Sequence, residues 1–169
     1  MPPSNDDYIA TTSTRSFVAR SAILHSSDRV DLRGRNWIGA HAQIHPGSVR
    51  LGRFASLGAN VNIQPPVDVP VVTIGAYTRL EAKVSSEAAS IGSYCWIGEG
   101  VVLGPRVIVK DCVVIAPGTV VPSDTVVPPF TRVDEDGSVE LSPSTWHPMQ
   151  EEATKLYRDF AERYGPTEG

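Results

Sequence analysis

Several residue types are scarce in this chain of 169 residues, and each scarcity closes off a class of function. Two cysteines, Cys95 and Cys112, are too few for a disulfide framework. Three lysines join twelve arginines without forming a basic run, and the formal charge is −4, so nucleic acid is not an expected partner. No apolar run reaches membrane-spanning length, and Met1-Pro-Pro-Ser-Asn-Asp-Asp carries no apolar secretory core. These absences predict a soluble intracellular protein with no segment inserted in a membrane. Glycine is spread along the chain rather than clustered, so no phosphate-cradling loop is visible. The length suits one domain with an appendage and is enough to bury a core.

What is present is a period of six. Ile91, Ile97, Leu103, Val109, Ile115, Val121, Val127 and Val133 mark it, and the 16 Ile, Leu and Val residues of that window fall in three of the six phases. A helix repeats every 3.6 residues and a lone half-buried strand every 2, so a period of six is neither. It describes a short strand and a turn, repeated, which is the pattern of a hexapeptide β-solenoid. Leu32, Ile38, Ile44, Leu51, Leu57 and Ile63 extend it toward the N-terminus with one extra residue near Gly47 to Arg50. A proline-rich stretch, residues 64–73, reads as a loop leaving the coil, because proline cannot donate to a sheet ladder. Ile74 and Leu80 resume the phase, with a shift of one residue before Ile91. The predicted organisation is a polar N-terminal segment (1–15), a β-helix (16–135), and a linker with a C-terminal amphipathic helix (136–169). In that last part Met149, Ala153, Leu156, Tyr157, Phe160 and Tyr164 recur at helical spacing after Pro148 and stop at Gly165-Pro166.

Alternation across each strand assigns the interior. If the marker points in, so does the small or β-branched row two residues before it, read as Ala42, Ser48, Ala55, Val61, Thr78, Cys95, Val101, Val107, Val113, Thr119, Thr125 and Thr131. The residue between the two rows points out. It is polar early (Gln43, Ser56, Asn62, Arg79) and apolar late: Trp96, Val102, Ile108, Val114, Val120 and Val126. With three hexads per coil, Trp96 and Val114 share one face, Val102 and Val120 a second, and Ile108 and Val126 a third. Exposed apolar surface on that scale marks contact sites, with strand propensity alone as the competing explanation. The C-terminal helix can cover about one face. The late row is therefore the candidate interface.

Catalytic candidates are weaker. Zinc in a catalytic site takes three or more converging ligands, most often histidine. The chain has His25, His41, His45 and His147, and the late coils hold none. Asn62-Ile63-Gln64 resembles a tripeptide of the γ-class carbonic anhydrases, but Glu99 follows Ile97-Gly98 and Pro105 follows Leu103-Gly104, without that class's histidines. Acyl transfer from a thioester needs a general base, and the late coils offer only Glu99 or Asp111. Cys95 belongs to the inward row, and Cys112 sits at a corner beside Lys110 and Asp111 with no histidine partner nearby. No metal, cofactor or catalytic residue is expected. An enzyme of the acyltransferase or γ-carbonic-anhydrase type is the alternative to a scaffold.

An ordered set of segments carries a more specific resemblance. It runs from Tyr8-Ile9 with Thr11 and Ser13, through Val30, Leu32 and Gly34, to Val49-Arg50-Leu51-Gly52-Arg53 followed by Ile63-Gln64-Pro65-Pro66. It continues with Ile91-Gly92-Ser93-Tyr94 and Val109-Lys110-Asp111-Cys112, and closes with Thr125-Val126-Val127-Pro128-Pro129-Phe130-Thr131. Together these resemble the dynactin subunit 5 family over about residues 8–160. The loop after Pro66 is shorter than is usual in that family, and residues 132–144 diverge. The resemblance implies a left-handed parallel β-helix with a C-terminal α-helix, an all-β solenoid otherwise. It also implies a non-enzymatic subunit of the dynactin pointed-end complex in the cytoplasm and cytoskeleton. The partners implied are dynactin subunit 6, the actin-related pointed-end protein, dynactin subunit 4 and dynein cargo adaptors.

Overall fold

The computed structural model describes residues 7–141 and 146–164. The chain winds about six turns of a left-handed β-helix with three flat parallel sheets. Face A stacks Phe17–Ala19 (β2), Trp37–Ile38 (β5), Ser56–Leu57 (β8), Arg79–Leu80 (β11), Trp96–Ile97 (β14), Val114–Ile115 (β17) and Thr131–Val133 (β20). Face B stacks Ile23–Leu24 (β3), Gln43–Ile44 (β6), Asn62–Ile63 (β9), Ser85–Ser86 (β12), Val102–Leu103 (β15) and Val120–Val121 (β18). Face C stacks Val30–Leu32 (β4), Val49–Leu51 (β7), Val72–Ile74 (β10), Ser90–Ile91 (β13), Ile108–Val109 (β16) and Val126–Val127 (β19). Face A is extended at each end by an antiparallel strand, Tyr8–Ala10 (β1) on β2 and Val139–Leu141 (β21) on β20. The helix α1 spans Trp146–Tyr164. The Gly165-Pro166 stop lies outside the described residues.

The hexad explains the coil. Marker residues such as Ile44, Leu57, Ile97 and Ile115 are fully buried and stack on the marker one turn away, whereas Leu32 in the first coil is half-buried. The row two before it is buried too, with two exceptions: Thr125 in the last coil is half-buried, and one position is displaced. In the coil of Leu51 the inward position belongs to Val49, which is 1 % exposed, whereas Ser48 is only half-buried. The extra residue preceding it pushes Ser48 back into the corner. Polar members of the inward row are bonded, as burial demands. Asn36 accepts from the Gly34 N–H at 3.0 Å and donates to the Gly52 and Ala55 carbonyls at 2.8 and 3.0 Å. The Thr78 hydroxyl donates to the Gly92 carbonyl at 2.6 Å.

Corners use two devices. Where the chain leaves a strand, a glycine lets the coils approach; a Cβ on Gly98 would lie 2.5 Å from the Pro117 nitrogen. Where the chain enters a strand, non-glycine residues adopt left-handed backbone, among them Arg35 (φ 52°), Phe54 (61°), Tyr77 (57°), Tyr94 (57°) and Cys112 (56°). That conformation costs roughly 1–2 kcal/mol per residue. A repeated bond offsets the cost: the Phe54, Tyr77, Tyr94 and Cys112 N–H groups donate to Gly34, Arg53, Ala76 and Ser93 of the preceding coil at 2.9–3.0 Å.

Candidate interaction surfaces

Face A is covered. The apolar stripe of α1 runs back along it toward the first coil. Met149 is buried, and Glu152 meets Arg79 at 3.7 Å. The Tyr157 ring packs 5.7 Å from Phe54 and 5.8 Å from Phe17, and its hydroxyl donates to the Arg15 carbonyl. Phe160 reaches Trp37 at 5.0 Å, Phe17 at 5.1 Å and Tyr8 at 4.6 Å. The face meeting the helix is thus mixed: Trp37, Ser56 and Arg79 are its outward residues in three successive coils.

The candidate interface row divides by face. Trp96 and Val114 are register partners on face A; the Trp96 indole N–H donates to Glu81 Oε1 at 2.8 Å, and Val114 is 9 % exposed between Trp96 and Arg132. Val102 and Val120 pair on face B and are 39 % and 65 % exposed. Ile108 and Val126 pair on face C, the first half-buried and the second 53 % exposed. Faces B and C therefore present flat apolar areas in their late coils, while their early coils carry Gln43, Asn62, Asp31 and Arg50.

Two surface features escaped the sequence reading. Phe54, Tyr77 and Tyr94 form a stacked ladder along one corner, with centroids 5.0 and 5.4 Å apart and the Arg35 guanidinium 5.5 Å from the Phe54 centroid. Their sequence spacings, 23 and 17, hide an 18-residue period because one interval contains the proline-rich loop and the other a shortened corner. The second is β21, which exposes Val139 and Leu141, within a stretch read as linker. Asp136-Gly137 (Gly137 φ 82°) is a hairpin-turn pair between two alternating runs, and that signal could have found it.

Most of the side chains considered for chemistry are buried or engaged elsewhere. Burial pushes the Cys95 thiol up to about 12; it lies inside the coil with its sulfur 3.1 Å from the Lys110 carbonyl. Cys112 is 5 % exposed at its corner. Asp111 accepts from the Ser93 N–H at 2.8 Å, and Glu99 lies 4.0 Å from Lys83 on the surface. His25 and His45 stack on each other at 4.9 Å, His41 takes a left-handed corner, and His147 is in α1. Among the described residues no three His, Cys, Asp or Glu side chains converge as a metal site would require. Among the described residues no helix is long and apolar enough to cross a membrane.

The fold and its repeating corners define a hexapeptide-repeat β-helix protein. Solved structures agree at the level of fold. An N-acyltransferase from Bacillus cereus, AntD, matches with a TM-score of 0.67 at 10 % identity, covering 83 % of this chain and 88 % of that one. A hexapeptide transferase family protein from Anaplasma phagocytophilum gives 0.63 at 14 % identity, with 86 % and 92 % covered. The chain is also 38 % identical over 84 residues to the bifunctional protein GlmU of Alkalilimnicola ehrlichii, which is 50 % of this chain but only 18 % of that protein. Within the broad class, the chain belongs to the dynactin subunit 5 family, whose profile matches residues 3–162.

Proposed function

We propose that this chain is a non-enzymatic scaffold and adaptor subunit of the dynactin pointed-end complex, in the cytoplasm and cytoskeleton, supporting dynein-driven cargo transport along microtubules. Its partners there are dynactin subunit 6, the actin-related pointed-end protein, dynactin subunit 4 and dynein cargo adaptors. One observation carries the reading: with α1 laid over face A, the adjoining pairs Val102–Val120 and Ile108–Val126 remain at the surface of two flat, rigid sheets. A stacked coil holds its outward rows at fixed separation and can seat partners without rearranging. Affinity purification of the tagged chain from its native cell, followed by mass spectrometry, should recover the other pointed-end subunits. A preparation without them removes the proposal.

A second reading has one observation in its favour, the shared fold with an N-acyltransferase solved with coenzyme A. It requires a site between copies of this chain. Sedimentation as a homotrimer together with turnover of an acyl thioester would establish it. A chain without such turnover, in which Glu99→Gln leaves the co-purifying proteins unchanged, supports the scaffold.

A further inference from the structure

The two ends of the solenoid differ in charge and in cover. Residues 15–53, which form the first coils, hold seven arginines and no lysine against Asp28 and Asp31, an excess of five positive charges. At the far end the β20–β21 hairpin sets Asp134, Glu135, Asp136 and Glu140 against Arg132. The basic end is also the more open one. Val121 and Val127 in the last turn are 4 % exposed, whereas Leu24, Val30 and Leu32 in the first are only partly buried. Among the described residues β1 covers the first strand of face A, but β3 and β4 have a neighbouring strand on one side only.

We propose that the open edge of β4, Val30–Leu32, takes up an extended acidic segment of a partner protein as an added strand. An unpaired edge is a template for such pairing, with backbone bonds giving affinity and alternate side chains giving specificity. β1 displays the geometry one face away, where Tyr8 pairs with Ala19 and Ala10 with Phe17 in antiparallel register. On β4, the inward side chains of an added strand fall against Val30 and Leu32. Its outward acids meet the flanking Arg29 and Arg33. Asp31 is shared by Arg33 at 3.2 Å and Arg50 at 3.1 Å, so one carboxylate serves two guanidinium groups and the rim stays cationic. The occupant is not a stacked second copy. Continuous stacking needs a new strand at about 4.8 Å on all three faces. On face A, β1 already fills that place, and β21 fills its counterpart at the other end. A single segment meets no such obstacle.

The proposal concerns the end of the solenoid and does not rest on the identity of the complex, so its failure leaves the scaffold reading intact. The test uses the full chain and a labelled peptide of about ten residues alternating glutamate with valine or threonine. Three measurements are made: fluorescence polarisation, amide hydrogen exchange, and cosedimentation with phosphatidylserine vesicles. Binding at or below about 1 mM is expected, with new exchange protection at the Leu32 amide, since the Val30 N–H already donates to the Ser27 carbonyl. Replacing the glutamates by lysine, or N-methylating alternate peptide amides, should weaken binding about tenfold or more, as should Arg29→Glu with Arg33→Glu. The N-methylated peptide probes the unaltered protein, so a poorly folded variant does not blunt the test. Equal binding of the lysine or N-methylated peptide, protection confined elsewhere, or no binding at that concentration overturns the proposal. So does vesicle binding with the same arginine dependence when the peptide does not bind.

Discussion

Placing a carboxylate at two positions of the same repeat phase separates the covered face from the open one. Val114 on face A is 9 % exposed and Val120 on face B is 65 % exposed, although both are valines in the same phase of neighbouring hexads. Val114→Asp gives up the burial of an aliphatic side chain, worth about 1.5–3 kcal/mol, and leaves an acid beside Trp96. Arg132 is its register neighbour but already holds Asp134 at 2.9 Å, so rescue is partial. The net loss should be about 3 kcal/mol, a fall in Tm of roughly 6–12 °C for a chain of this size. Val120→Asp should cost less than about 0.5 kcal/mol, as surface substitutions do. Thermal unfolding of the isolated chain reads both. A pH series sharpens the contrast. A carboxyl held in an apolar site has its pKa raised, so it binds its proton more tightly folded than unfolded. The Val114→Asp deficit should shrink as pH falls through that raised pKa, while Val120→Asp shows little pH dependence. Equal destabilisation by the two, or a larger loss at Val120, would refute the assignment of faces. Val120→Asp should then keep its native Tm yet recover fewer partners on affinity purification.

Three further outcomes follow from the corners, the interior and the helix. Gly98→Ala drives a Cβ into the Pro117 backbone and should cost about 3 kcal/mol or more of overpacking; Gly118→Ala, with φ 77° and no atom within 4 Å, should cost only about 1 kcal/mol of backbone strain, and urea unfolding compares them. Cys95 should resist iodoacetamide at about pH 8 until the chain unfolds, as a thiol pushed up to about 12 must. Because its pKa rises from 9.0 on folding, the stability it contributes is full below pH 9.0 and is lost as pH climbs toward about 12. Cys95→Ala should remove roughly 4 kcal/mol of that alkaline loss. Phe160→Ala, which loses ring contacts with Tyr8, Phe17 and Trp37, should lower stability by about 2 kcal/mol, also read by urea unfolding.

The fold was legible where one residue type recurred under one constraint. A narrow interior admits few side chains, so Ile91 to Val133 declare their period, and the outward partners Val102–Val120 and Ile108–Val126 follow from counting 18. Legibility failed where the constraint loosened. The first coil begins at Phe17, but Val18, Leu24 and Leu32 are spaced 6 and 8 apart because a short 3-10 turn, Ser27–Arg29, enlarges one corner. Ser86 occupies a marker position although it is polar, since its hydroxyl accepts from the Ala88 N–H within the shortened corner. The candidate interface was legible only as surplus apolar surface. Which face the helix takes is set by Phe17, Trp37 and Phe54, residues outside the markers that became neighbours through the winding itself.

The return of α1 to the first turn also alters how the molecule comes apart. An array in which each turn touches only its neighbours can fray from either end, one unit at a time. Here residue 157 is bonded to residue 15, an intramolecular separation of 142 positions. Releasing the opening turn therefore strips the helix of Phe17 and Tyr8, and releasing the helix bares the same residues. That latch couples the two extremities of the chain, so unfolding should proceed as one cooperative transition, slow to nucleate in either direction because the closing contact spans nearly the whole sequence.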